Sequence, residues 1–172
     1  MGSYVAQRFA IDHPERTVGL VLMGSFATMA GNPVVEELWD SVVSNLDDPI
    51  DRRFILEFQK STLARSVPAV CVDMAVDESA RVPSRIWKAT FAEFRQSDFS
   101  KELRMIKAPT LIVWGDQDVI CSRRDQEALL AGISGSRLLI YAGGGHGLHW
   151  EEPARFASDL TAFVAELHPW RF

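Results

Sequence analysis

Cysteine is scarce in this sequence, and so are the features that mark several other protein classes. Cys71 and Cys121 are the only thiols, fifty residues apart and without the close spacing that builds a zinc site. Two free thiols point to a reducing compartment, and the expected location is the cytoplasm. No block of Lys or Arg appears, and the net charge is −5. That argues against nucleic acid or an anionic membrane as the main partner. The longest apolar run, VGLVLMGSFATMA, is too short to span a bilayer and has no charged leader segment before it. Repeats and low-complexity linkers are also missing. What is there is an ordinary globular balance: 172 residues with 47% apolar side chains, enough for one domain with a sizeable core.

The hydrophobic pattern changes period along the chain. Residues 3–13 set Val5, Ala6, Phe9 and Ala10 on one helical face, and His13-Pro14 ends that helix. TVGLVLMG (17–24) is a short apolar run of the kind found in a buried parallel strand. APTLIVWG (108–115) and SRLLIYAG (136–143) repeat that pattern, with a helix expected over 123–133 and another over 151–167. Between 27 and 107 no strand pattern appears, and four or so segments carry a proline near a helix start. In DDPIDRRFILEFQKSTLA, Asp48 is the expected cap and Pro49 the first helical residue, with Ile50, Phe54 and Phe58 following at helical spacing. The fold expected is α/β: about three parallel strands with flanking helices from 1–26 and 108–172, and an all-helical insertion over 27–107.

In a parallel sheet, reactive groups collect in the loops beyond the carboxyl ends of the strands. The second strand runs into GDQDVICS, with Asp116, Asp118 and Ser122; the third runs into GGGHGLHWEEP, with His146 and His149. If the two strands are neighbours, an Asp past one end reaches a His past the other. A carboxylate on one ring nitrogen fixes the tautomer and leaves the other nitrogen to act as a base. Asp116 directly follows Gly115 and suits a turn former, so Asp118 is the better orienting acid. His149, beside Trp150, suits packing or capping, so His146 is the candidate base.

These segments, PTLIVWGDQD and GGGHGLHWEEPARF, resemble the acid and histidine segments of the α/β-hydrolase fold. The opening MGSYVAQRFAIDHPERTVGLVLMGS is similar to the stretch just past the nucleophile elbow in that family, and the helical insertion stands where its cap lies. The match is closest in kind to lid-bearing esterases, enol-lactonases and cofactor-free haloperoxidases. The resemblance implies Asp118 and His146 as acid and base, with a small ester or lactone as substrate and neither cofactor nor metal. It aligns Met1 with the residue after the nucleophile and Gly2 with the last glycine of the elbow, so the usual nucleophile and the strands before it are expected to be absent.

Three serines are candidates to replace that nucleophile. Ser3 lies in the first turn of the opening helix, Ser25 follows the first strand, and Ser122 shares a loop with Asp118. Ser25 is the preferred of the three; each also has a structural reading as cap or turn former. Cys121 is intrinsically more nucleophilic, yet nothing near it in sequence activates it. The aromatics of the insertion (Trp39, Phe54, Phe58, Trp87, Phe91, Phe94) suit either a core or an acyl pocket. An uncovered first strand is expected to pair with another chain, giving a homodimer or larger assembly. The alternative reading is a catalytically silent hydrolase scaffold serving as a binding or assembly module.

Overall fold

The computed structural model describes residues 1–167. Its elements in chain order are α1 (Gly2–Asp12), β1 (Leu20–Met23), α2 (Pro33–Ser41), α3 (Arg52–Ser61), α4 (Ala69–Ala80), α5 (Ser84–Phe94), β2 (Thr110–Gly115), α6 (Arg123–Gly132), β3 (Arg137–Tyr141), α7 (Leu148–Glu151) and α8 (Pro153–Leu167). The three strands form one parallel sheet in the order β1-β2-β3. Leu20 pairs with Thr110 at one end of the β1-β2 ladder, and Gly115 with Tyr141 at the end of the β2-β3 ladder.

β2 is buried along its whole length, which explains its unbroken apolar run. Its side chains alternate between two cores, as the pleat requires. Ile112 joins Leu20, Leu22, Ala10, Ile11, Leu129 and Ile133 on the face covered by α1 and α6. Leu111 and Val113 join Tyr141, Leu148 and Phe163 on the face covered by α8.

The chain divides into two compact units. The sheet unit comprises Met1–Ala27, Leu63–Arg65 and the described residues from Phe99 on; the helical unit comprises Thr28–Thr62 and Ser66–Asp98. Residues 99–107 and Leu63–Arg65, expected within the insertion, thus group with the sheet. In the helical unit Trp87 packs against Phe54 and Phe58 at centroid distances of 5.8 and 5.2 Å, and Arg95 lies over Trp39. Phe91 and Phe94 meet edge-on. Of these aromatics Trp87 is buried and the others are half-buried, packing on one another within that unit.

Two local expectations are corrected. α3 starts at Arg52 with Asp51 as its cap, the Asp51 carboxylate accepting from the Arg53 amide at 2.8 Å. Asp48 is drawn elsewhere and accepts from the Ser84 amide, ahead of α5. α1 also buries a different face: Tyr4, Gln7, Ala10 and Ile11 point inward, whereas Val5 and Phe9 are exposed. Gln7 tolerates burial because its amide donates to the Ser25 hydroxyl at 3.0 Å and to the Phe26 carbonyl at 2.9 Å.

Candidate active site

Parallel pairing brings the carboxyl ends of β2 and β3 side by side, and the two loops beyond them are stitched together there. The Gln117 amide donates to the Gly144 carbonyl at 2.9 Å, and the Asp116 carboxylate accepts from the Gly143 amide at 2.6 Å. Asp116 is therefore a turn residue, as expected, but the backbone it fixes belongs to the histidine loop. Gly115 lies so close to that loop that a Cβ there would stand 2.2 Å from the Gly144 carbonyl oxygen. Glu151 accepts from the Gly145 amide at 2.8 Å and from the Ala64 amide at 2.9 Å. Arg65 donates to the carbonyls of Gly143 and Ala142 and pairs with Glu152.

On this frame Asp118 and His146 meet, with Asp118 Oδ2 2.9 Å from His146 Nδ1. The Asp118 side chain is fully buried, and its other oxygen accepts the amides of Ile120 at 2.8 Å and Cys121 at 3.0 Å. These two backbone donors hold the orientation of the carboxylate. The His146 ring is about a quarter exposed, and its Nε2 carries no hydrogen bond among the described residues. A ring fixed at Nδ1 and open at Nε2 can take a proton from a hydroxyl group placed before it.

Gly24, the residue that ends β1, closes the site from the third strand. Its φ is +50°, a conformation that favours glycine. A Cβ here would lie 2.7 Å from His146 Nδ1 and 3.2 Å from Asp118 Oδ2. Only a hydrogen at this position lets the pair stand in contact with the β1 end. The Gly24 carbonyl accepts the Cys121 thiol at 3.2 Å. Burial is the main cause that pushes the thiol well above its ordinary pKa, with the Asp118 charge adding to it.

The candidate serines fall elsewhere. Ser25 is fully buried, its hydroxyl accepting from Gln7 and its carbonyl accepting from Gln126 at 2.8 Å. No substrate can reach it there, so the expectation of Ser25 as nucleophile is corrected: the turn at Gly24 sends its side chain inward, between α1 and α6. Ser122 caps α6 in a reciprocal pair with Asp125. Ser3 sits partly covered in the first turn of α1, its carbonyl accepting from Gln7 at 3.4 Å. His149 packs against Trp150 and Phe156, as its sequence context suggested. Gly24, Arg65 and Glu151 are supporting residues that the sequence did not reveal. For Gly24 alone there was a signal, a glycine closing the strand next to the two whose ends carry Asp118 and His146.

Parallel strands with a buried Asp–His pair beyond their carboxyl ends define the class: an α/β fold of hydrolase type. Residues 1–153 match the family model described as Hydrolase_4: Serine aminopeptidase, S33, and the chain belongs to that family of α/β-hydrolases. Among curated proteins it is 31% identical over 96% of its length to a 2-hydroxy-6-oxononadienedioate/2-hydroxy-6-oxononatrienedioate hydrolase of Klebsiella pneumoniae, of which it covers 60%. The chain thus spans about 60% of the length of such curated relatives. Among solved structures, an esterase from Exiguobacterium antarcticum superposes with a TM-score of 0.83 at 21% identity, over 94% of this chain and 63% of that one. A meta-cleavage product hydrolase from Pseudomonas fluorescens gives 0.77 at 19% identity, over 96% and 62%. Both share the fold.

Proposed function

We propose that this protein is a cytoplasmic hydrolase of carboxylesterase or lactonase type, acting on small esters, with Asp118 and His146 as its acid–base pair. The observation that carries the reading is the 2.9 Å contact between a buried, doubly anchored carboxylate and a ring whose far nitrogen is open. In this scheme His146 Nε2 accepts the proton of the attacking hydroxyl, and Asp118 stabilises the imidazolium that forms. The same nitrogen then returns the proton to the departing alkoxide. The esterase and hydrolase names of the relatives support a carbonyl substrate, and the two free thiols support a reducing compartment.

The test is hydrolysis of p-nitrophenyl butyrate by the chain and by His146→Ala, with fluorophosphonate labelling mapped by mass spectrometry. The expected result is a fall of about 10²–10⁴-fold in kcat/KM for the variant, the usual contribution of a positioned general base. Equal rates in both proteins would remove the acid–base assignment. One observation favours a second reading, a catalytically silent scaffold used for binding or assembly: the hydroxyls of Ser25 and Ser122 are both engaged in structural hydrogen bonds. Absence of both turnover and label on folded protein selects that reading.

A further inference from the structure

Cys121 has no part in the acid–base scheme, yet the fold delivers it to the same place. Its sulfur, a ring nitrogen of His146 and a carboxylate oxygen of Asp118 all lie within 4.8 Å of one another. The three come from two loops, Asp118 and Cys121 after β2 and His146 after β3, which are fixed to each other by the Gln117 amide on the Gly144 carbonyl and the Gly143 amide on the Asp116 carboxylate. We propose that Asp118, Cys121 and His146 form a binding site for a thiophilic divalent cation of the Zn2+ type.

Donor type, charge and distance each support this. A nitrogen, a sulfur and an oxygen make a set that suits Zn2+, Co2+ or Cd2+ and disfavours Mg2+ and Ca2+, which take oxygen alone. A thiolate and a carboxylate carry two negative charges, which neutralise the dication in a site where Cys121 and the Asp118 side chain are both buried. Bond lengths of about 2.0–2.3 Å place neighbouring donors on a tetrahedral ion about 3.5 Å apart. The nitrogen–oxygen pair at 2.9 Å opens slightly to meet that separation, and the sulfur, within 4.8 Å, closes by at most about 1.3 Å. The Gly24 backbone closes the site from β1, its carbonyl 3.2 Å from the Cys121 sulfur, and the absence of a side chain there spares the His146 ring a clash.

The ligands set the proton balance. The thiol loses its proton to solvent, and the imidazole proton moves from Nδ1 to Nε2 as Nδ1 takes the metal. One proton is released per ion bound. An imidazole protonated at Nε2 can no longer act as a base, so on the reading given under Proposed function the cation is an inhibitor. Binding itself is measured without any ester, and stands or falls separately from that reading.

The experiment titrates the metal-free chain with Co2+ and follows the near-ultraviolet thiolate-to-cobalt band and the visible bands of a tetrahedral site. One equivalent is expected to develop both, Zn2+ to displace it, and Cys71→Ser to leave them unchanged. Cys121→Ser is expected to abolish the thiolate band and weaken binding at least tenfold. No thiolate band in the wild-type chain, or a band that survives Cys121→Ser and vanishes in Cys71→Ser, overturns the proposal. Should Cys121→Ser fail to fold by circular dichroism, His146→Gln decides. It must also weaken Co2+ binding at least tenfold, and unchanged affinity in it overturns the site.

Discussion

Gly24 is the residue on which the geometry of the pair turns. Replacing it with alanine places a methyl group 2.7 Å from His146 Nδ1 and asks a non-glycine residue to hold φ at +50°. The backbone strain costs about 1–3 kcal/mol, and the ring must also move away from Asp118. Gly24→Ala is expected to lose the low-field NMR resonance of the hydrogen-bonded Nδ1 proton, whatever it does to turnover; retention of that signal refutes the contact. His149 supplies a second prediction. Burial, and then the nearby His146, hold its pKa below the ordinary histidine value near 6.5. The unfolded chain therefore binds the proton more readily. Stability is full above that value and falls as pH drops through it toward the lower folded pKa. Thermal unfolding should show this loss, and His149→Gln should flatten the slope. Asp118 and His146 were legible in the sequence because each stands just past an apolar strand run in a loop rich in turn formers. Arg65 and Glu151 were not, because their roles arise from contacts between segments far apart in the chain, and Gly24 showed only as a glycine following a strand. Cys121 was half legible: its place in the loop was plain, its distance to His146 was not.

At the scale of elements, periodicity located most helices and all three strands but did not say which face of a helix is covered. Val5, Phe9 and Ala6 satisfy the apolar rule for α1 as well as Ala10 and Ile11 do, yet Val5 and Phe9 lie exposed. The buried face contains Gln7, which no hydrophobicity pattern selects. It goes inside because the Ser25 hydroxyl and the Phe26 carbonyl await a donor there. Caps show the same limit. Ser122 was legible as a cap of α6 because it stands directly before that helical segment; the return contact from Asp125 is seen only in the fold. Asp48 was the expected start of α3, but the Ser84 amide thirty-six residues away takes its carboxylate, and Asp51 caps the helix instead.

Across the whole molecule, β1 has a ladder on one side only among the described residues, formed with β2. Beside its open edge runs an apolar groove lined by Val5, Ala6, Phe9, Val18 and Leu20, with Arg16 at its border. Unpaired strand edges next to apolar surface favour pairing with a second copy of the same chain. Sedimentation is expected to show concentration-dependent dimerisation, weakened by Val18→Lys, a change at a position 63% exposed. A single monomeric species across the micromolar range refutes the pairing. No helix among the described residues is long and apolar enough to cross a membrane.

The same strand order bears on how the chain comes to be folded. β1 and its ladder partner β2 are separated in the chain by the helical unit. Leu20 and Leu22 wait for their β2 partners until a loop of some eighty residues closes, a long closure for a parallel pair. Such a segment is sticky for as long as it waits. Refolding of the sheet is therefore expected to be paced by that closure rather than by the local helices.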